Sequence, residues 1–212
     1  MRCTRLADVL IPLEKRAAFA NRHANAVFIS VHFNKSSNRG ASGLETYCLA
    51  PRGVPSMDEE NLSYSDYVQH PGHKHDPANI ALATTVHAAL VRNLGLIDRG
   101  VKRARFVVVR NTTIPAILIE GGFMSGTPDA RLVATPEYRQ RIAECILDGV
   151  NRYKASRHQP DPIPETFRRR RCHGSHQRSQ LGKIAPVVGS TVEIDSSVAR
   201  AQEALESSVK EN

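Results

Sequence analysis

Ile117-Leu118-Ile119-Glu120-Gly121-Gly122-Phe123 sets one carboxylate at the end of an apolar run and follows it with two glycines. A short, branched, apolar run of this kind, entered through Pro115, reads as a buried strand over residues 116–119. Ile29-Ser30-Val31-His32-Phe33-Asn34 has the same plan with an imidazole: residues 27–31 read as a second buried strand, and His32 stands where it gives way to a polar loop. In an open α/β sheet such strand ends face the ligand crevice. His32 and Glu120 are therefore expected to share one site.

The rest of the chain supplies the layers around these strands. Residues 43–49 alternate as a strand should, and the valine-rich residues 105–110 read as another. Helices are expected over residues 12–24, with Leu13, Ala17 and Ala20 at helical spacing, over 78–94, closed by Gly95, and from Pro136 to about residue 153. Ile142, Cys145, Ile146, Val150 and Tyr153 line one face of the last. This alternation predicts an α/β fold, a twisted mixed or mostly parallel sheet flanked by helices. Residues 51–77 read as a long surface insertion without secondary structure, carrying His70, His73 and His75 on a solvated loop.

With 212 residues, 41% of them hydrophobic, the chain can bury one ordinary core. The expected division is a catalytic-type domain over residues 1–154 and a basic, disordered tail over 155–212, where Pro, Ser and Gln displace any periodicity. No apolar run approaches the roughly 18 residues of a membrane span. Asp8, Pro12, Glu14 and Lys15 interrupt the start where a secretory signal would need an apolar stretch, so the sequence as written reads as cytoplasmic. Cys3, Cys48, Cys145 and Cys172 lack Cys-x-x-Cys spacing, and Cys48 and Cys145 fall inside apolar patterns as small hydrophobes.

The net charge of +8 favours acidic partners in a general way. It is spread out, with 20 Lys/Arg against 14 Asp/Glu in residues 1–154 and 9 against 7 beyond. The sharpest basic run, Arg168 to Arg171, has almost no aromatic residues beside it to stack on bases, which argues against a nucleic-acid partner.

An imidazole at position 32 can offer a neutral nitrogen to a metal, or can sit in the core satisfied by a carbonyl. A carboxylate at the depth of Glu120 needs a partner, a metal or a proton. It is placed either as a general acid or base on a rigid strand, or as the ion-pair partner of Arg99 or Arg110.

Several blocks stand in one order and spacing: Thr4-Arg5 with Leu13, Arg16, Ala20 and Asn21; Ser30-Val31-His32-Phe33-Asn34; Gly43-Leu44-Glu45-Thr46-Tyr47; Asp98-Arg99-Gly100-Val101-Lys102; Phe106 to Arg110; and Pro115 to Phe123. Over residues 2–154 the chain resembles the catalytic domain of zinc-dependent N-acetylmuramoyl-L-alanine amidases of the amidase-3 type. The resemblance implies a peptidoglycan hydrolase that cleaves the amide between N-acetylmuramic acid and L-alanine. It implies Zn²⁺ as cofactor, His32 as a metal ligand, Glu120 as the catalytic carboxylate, and peptidoglycan as partner, with an activator protein compatible with it.

The same resemblance implies a departure. The family's first strand and its first two ligands, a His in an Asp-Pro-Gly-His-Gly-Gly loop and a Glu after it, have no counterpart in this sequence. His70-Pro71-Gly72-His73 is similar to that loop only superficially, because it lies in the insertion. Three expectations follow. The sequence is part of a longer product whose remainder carries the ligands and a signal directing it to the periplasm or cell surface. Or it binds wall glycopeptide without cutting it. Or it is a basic adaptor acting through Arg168 to Arg171.

Overall fold

A computed structural model describes residues 1–157 apart from Asp58 and Glu60. The arginine run, Cys172 and nearly all of the expected tail lie outside the described residues. In chain order the elements are α1 (Leu13–Asn21), β1 (Phe28–Asn34), β2 (Leu44–Leu49), two 3₁₀ turns (Tyr64–Tyr67 and Pro71–His75), α2 (Asp76–Leu94), β3 (Asp98–Ala104), α3 (Val107–Arg110), β4 (Ala116–Phe123), α4 (Thr127–Val133) and α5 (Pro136–Ser156).

The four strands form one mixed sheet in the order β1-β4-β2-β3. β1 runs parallel to β4 and β2 parallel to β3, while β2 and β4 are antiparallel. On one face Leu44, Cys48, Ile117 and Ile119 pack with Leu82, Val86 and Leu90 of α2 and with Ile142 and Cys145 of α5. On the other, Phe28, Leu49, Ala116 and Leu118 pack with Ala20 of α1 and with Val108 and Val109 of α3. Helices thus cover both faces, as the alternating pattern predicts. Cys48 and Cys145 are buried as expected, and burial lifts the Cys48 thiol to about 11.

The strand expected over residues 105–110 is not one. Val107–Arg110 is a single helical turn in which the N–H groups of Val109 and Arg110 bond to the Phe106 carbonyl and that of Asn111 to the Val107 carbonyl. The Thr112 hydroxyl donates to the Val108 carbonyl at 2.6 Å and closes the turn. Three valines prefer a strand only where a pleated neighbour takes their branches; here the turn lays them against the core from one side. The strand instead comes just before, at Asp98–Ala104. Its polarity concealed it, because as an edge strand it sends Arg99 and Lys102 to Glu45 and Arg103 to Asp76 and the Leu49 carbonyl.

The insertion also has more structure than expected. His73 is engaged at both ring nitrogens: Nδ1 accepts the His70 N–H at 3.0 Å and Nε2 donates to the Ala50 carbonyl at 3.0 Å. His70, His73 and His75 form no metal trio, and no group of three His, Cys, Asp or Glu suited to a metal occurs among the described residues.

Candidate active site

Strand pairing brings the ionisable groups together. Glu120 lies opposite His32 on its parallel neighbour and opposite Glu45 on its antiparallel one. Residues paired across strands project to the same side. One imidazole and two carboxylates therefore form a row across three adjacent strands. One row further back come Ser30, Leu118 and Tyr47, and behind them Phe28 and Ala116. Over three rows this face changes from core packing under α1 and α3 to ionisable chemistry at the sheet end.

The two carboxylates have opposite environments. Glu45 is 2% exposed and receives Arg99 Nε at 2.6 Å and Lys102 Nζ at 2.7 Å on one oxygen, and the Tyr47 hydroxyl at 2.6 Å and Asn34 Nδ2 at 3.2 Å on the other. Burial alone would raise its pKa, but the bonds from Arg99, Lys102 and Tyr47 outweigh it and hold the carboxyl below its ordinary value. Glu120 has no such donors. Its Oε2 is buried without a hydrogen-bond partner, and burial, reinforced by the charge of Glu45, pushes its pKa up to about 8. Arg99, a partner considered for Glu120, is spent on Glu45.

His32 is half-buried beside them. Its Nε2 meets Ser30 Oγ at 2.9 Å, and its pKa is lowered by burial and by the positive charges of Arg16 and Arg5. The ring is thereby held neutral, the state that can donate a lone pair.

Backbone geometry is fixed where the site opens. Between His32 and Asn34 on β1 there is one residue, but between their partners Glu120 and Phe123 on β4 there are two, so β4 bulges at Gly121-Gly122. Gly122 carries φ of 124°, which a side chain would strain. Asp129, fully buried, holds this exit against the loop before β2: Oδ1 accepts from the Ser42 hydroxyl at 2.6 Å, and Oδ2 from the N–H groups of Gly43 at 2.9 Å and Phe123 at 3.0 Å. Asp129→Ala strands two buried donors and is expected to cost roughly 2–5 kcal/mol in urea unfolding. A loss under about 1 kcal/mol would mean that water replaces the carboxylate without penalty.

Glu45 and Asp129 were not singled out from sequence. Glu45 had a readable signal, a carboxylate inside the apolar alternation of residues 43–49, the same anomaly that identified Glu120.

The mixed α/β sheet thus pairs a proton-binding carboxylate with a neutral imidazole near its strand ends. Residues 1–152 match the family described as N-acetylmuramoyl-L-alanine amidase, and the chain belongs to that family. The uncharacterized protein YqiI of Bacillus subtilis (strain 168) is 31% identical over 71% of this chain and 62% of its own length. The N-acetylmuramoyl-L-alanine amidase AmiA of Escherichia coli (strain K12) is 28% identical over 72% of this chain and 60% of its own. The chain thus spans about three fifths of these curated relatives. Among solved structures, an N-acetylmuramoyl-L-alanine amidase from Clostridium difficile 630 is 30% identical over 72% of this chain and 70% of that one, with a TM-score of 0.57.

The donor set can be tested against zinc. A catalytic zinc takes three protein ligands and keeps one position open. His32 offers a neutral nitrogen and Glu120 an unpartnered oxygen, but both oxygens of Glu45 are occupied by donors, and no third ligand stands beside them among the described residues. These residues do not make a complete zinc site.

Proposed function

We propose that the domain acts on the amide that joins the lactyl group of N-acetylmuramic acid to L-alanine in peptidoglycan, with Glu120 as the group that handles the proton. The observation that carries this reading is the buried, unpartnered Oε2 of Glu120. Hydrolysis of an amide needs a proton taken from water and a proton given to the departing amine. With a pKa of about 8 the carboxyl is mostly protonated at neutral pH and can give that proton to the departing amine, while its ionised fraction can take the proton of water. Family membership supports the substrate class, and a wall polymer as substrate favours a setting outside the cytoplasm.

His32 is proposed as the one metal ligand these residues contribute. A single imidazole forfeits much of the binding free energy of a three-ligand site. The 212-residue chain is expected to retain only substoichiometric zinc after dialysis against a mild chelator, measured by elemental analysis. One firmly held zinc per chain would overturn this. The decisive assay is release of L-alanine-terminated peptides from purified peptidoglycan, and release of reducing sugar instead would point to a different bond. The two-donor set also favours a second reading, in which the chain holds wall glycopeptide without cutting it. Sacculus binding with no peptide release at any zinc concentration would establish that one.

A further inference from the structure

We propose that the 3₁₀ turn Tyr64–Tyr67 is a sugar-binding platform that holds the glycan strand at the opposite end of the sheet from the His32–Glu120–Glu45 row. The inference rests on the peptidoglycan reading above and adds a second contact to it.

The turn carries two outward tyrosines on an anchored base. Side chains three residues apart eclipse in a 3₁₀ turn, about 6 Å along its axis. Tyr64 and Tyr67 thus share one side of it, and they are 88% and 52% exposed. Asp66, between them, points inward and is fully buried against Arg105, at 2.5 Å. Arg105 also reaches the carbonyls of Pro51 and Val54, and the Gly53 N–H donates to the Asp66 carbonyl at 2.9 Å. An ion pair buried under a surface turn fixes how its outer residues stand. Tyrosine gives a large amphipathic contact at low entropic cost, since only two side-chain torsions are frozen.

The chemistry around the rings suits a saccharide. The aromatic face is electron-rich and accepts the C–H-lined face of a pyranose, while the sugar's hydroxyls need polar partners at its edge. Those partners are present: the Ser63 and Ser65 hydroxyls lie 2.7 Å apart in the open, and the guanidinium of Arg52 is tied to the Tyr67 carbonyl.

Position gives the platform a use. β2 runs antiparallel to β4, so Glu45 near its start lies in the reactive row while Ala50 and the insertion leave from the other end. Five residues of strand separate them by about 17 Å. A small substrate cannot touch both places, but a polymer chain can.

The test uses the full chain and a glycan-only probe, the β-1,4-linked N-acetylglucosamine hexamer. Isothermal titration calorimetry reads binding without relying on the tyrosines that the variants remove. The hexamer is expected to give a saturable change, and Tyr64→Ala with Tyr67→Ala to weaken it about tenfold or more, while the paired Phe substitutions keep most of it. Unchanged melting temperature shows that the exposed substitutions leave the fold intact. Equal hexamer affinity in the parent and the double Ala variant, or no hexamer binding by the parent, overturns the proposal. So does concentration-dependent self-association that the double variant abolishes without any sugar binding, which would make the patch a protein contact. Cleavage of a small muramoyl peptide by the parent chain is assayed alongside. Its absence with hexamer binding intact favours the reading in which the chain holds wall glycopeptide without cutting it, and leaves the platform standing.

Discussion

Glu120→Gln is expected to lower the proposed amide hydrolysis by about two to four orders of magnitude in a form of the protein that carries a complete set of metal ligands. Glutamine keeps the shape and the buried position but can neither take a proton from water nor return one to the amine. The same substitution has an effect on folding that needs no turnover. Glu120 titrates at about 8 in the fold and near 4.5 when exposed, so its stabilising share is complete below pH 4.5 and is lost as pH rises through 8. Above pH 8 the native state holds an ionised carboxylate whose buried Oε2 has no partner, a cost on the order of 5 kcal/mol. Glutamine escapes that cost. The Gln variant should therefore match the parent in thermal stability near pH 5 and exceed it at pH 8 to 9. Retained turnover would remove Glu120 from the chemistry, whereas parallel stability curves would mean that its buried oxygen has found a partner.

That site was partly legible because burial and charge conflict in a visible way. A Glu after Ile117-Leu118-Ile119 and a His after Val31 violate the apolar pattern of their strands, and such violations need a reason in the fold. The sheet then pairs the two residues directly. Glu45 violates its strand in the same manner, but its role depends on Arg99 and Lys102, which come more than fifty residues later on an edge strand. No local pattern announces such a partnership. β3 was missed for a related reason: its charged residues mimic a loop until the acceptors on β2 and α2 are placed. Val107–Arg110 failed in the other direction, since a run of valines fits a strand and a buried turn equally well until α1 and the sheet are packed against it. Periodicity located the helices, and local breaks in the apolar pattern located His32 and Glu120, while the long-range ion pairs of Glu45 needed the fold.

Glu45→Ala is expected to cost about 3 to 5 kcal/mol, the largest loss of stability among single substitutions in this row. It removes the acceptor for four donors, and two of them are cations: Lys102, whose side chain is only 14% exposed, and Arg99. Without the carboxylate, Lys102 and Arg99 repel one another across a partly desolvated pocket, and the Tyr47 hydroxyl loses its acceptor. The pH dependence separates this role from that of Glu120. Because the folded pKa of Glu45 is depressed, its contribution is present above the ordinary carboxyl range and is lost as pH falls through the lower folded value. Removing Glu45 should flatten the acid side of the stability profile, just as removing Glu120 flattens the alkaline side. The two changes also interact. The charge of Glu45 helps to hold the proton on Glu120, so with that charge gone Glu120 should titrate at a lower pH. In the Glu45→Gln variant, which keeps an acceptor for Tyr47 but no charge, the loss of stability that sets in above pH 4.5 should level off below pH 8 and be smaller in total. If it levels off at the same pH as in the parent, burial alone sets the proton affinity of Glu120 and the two carboxylates do not act as a pair.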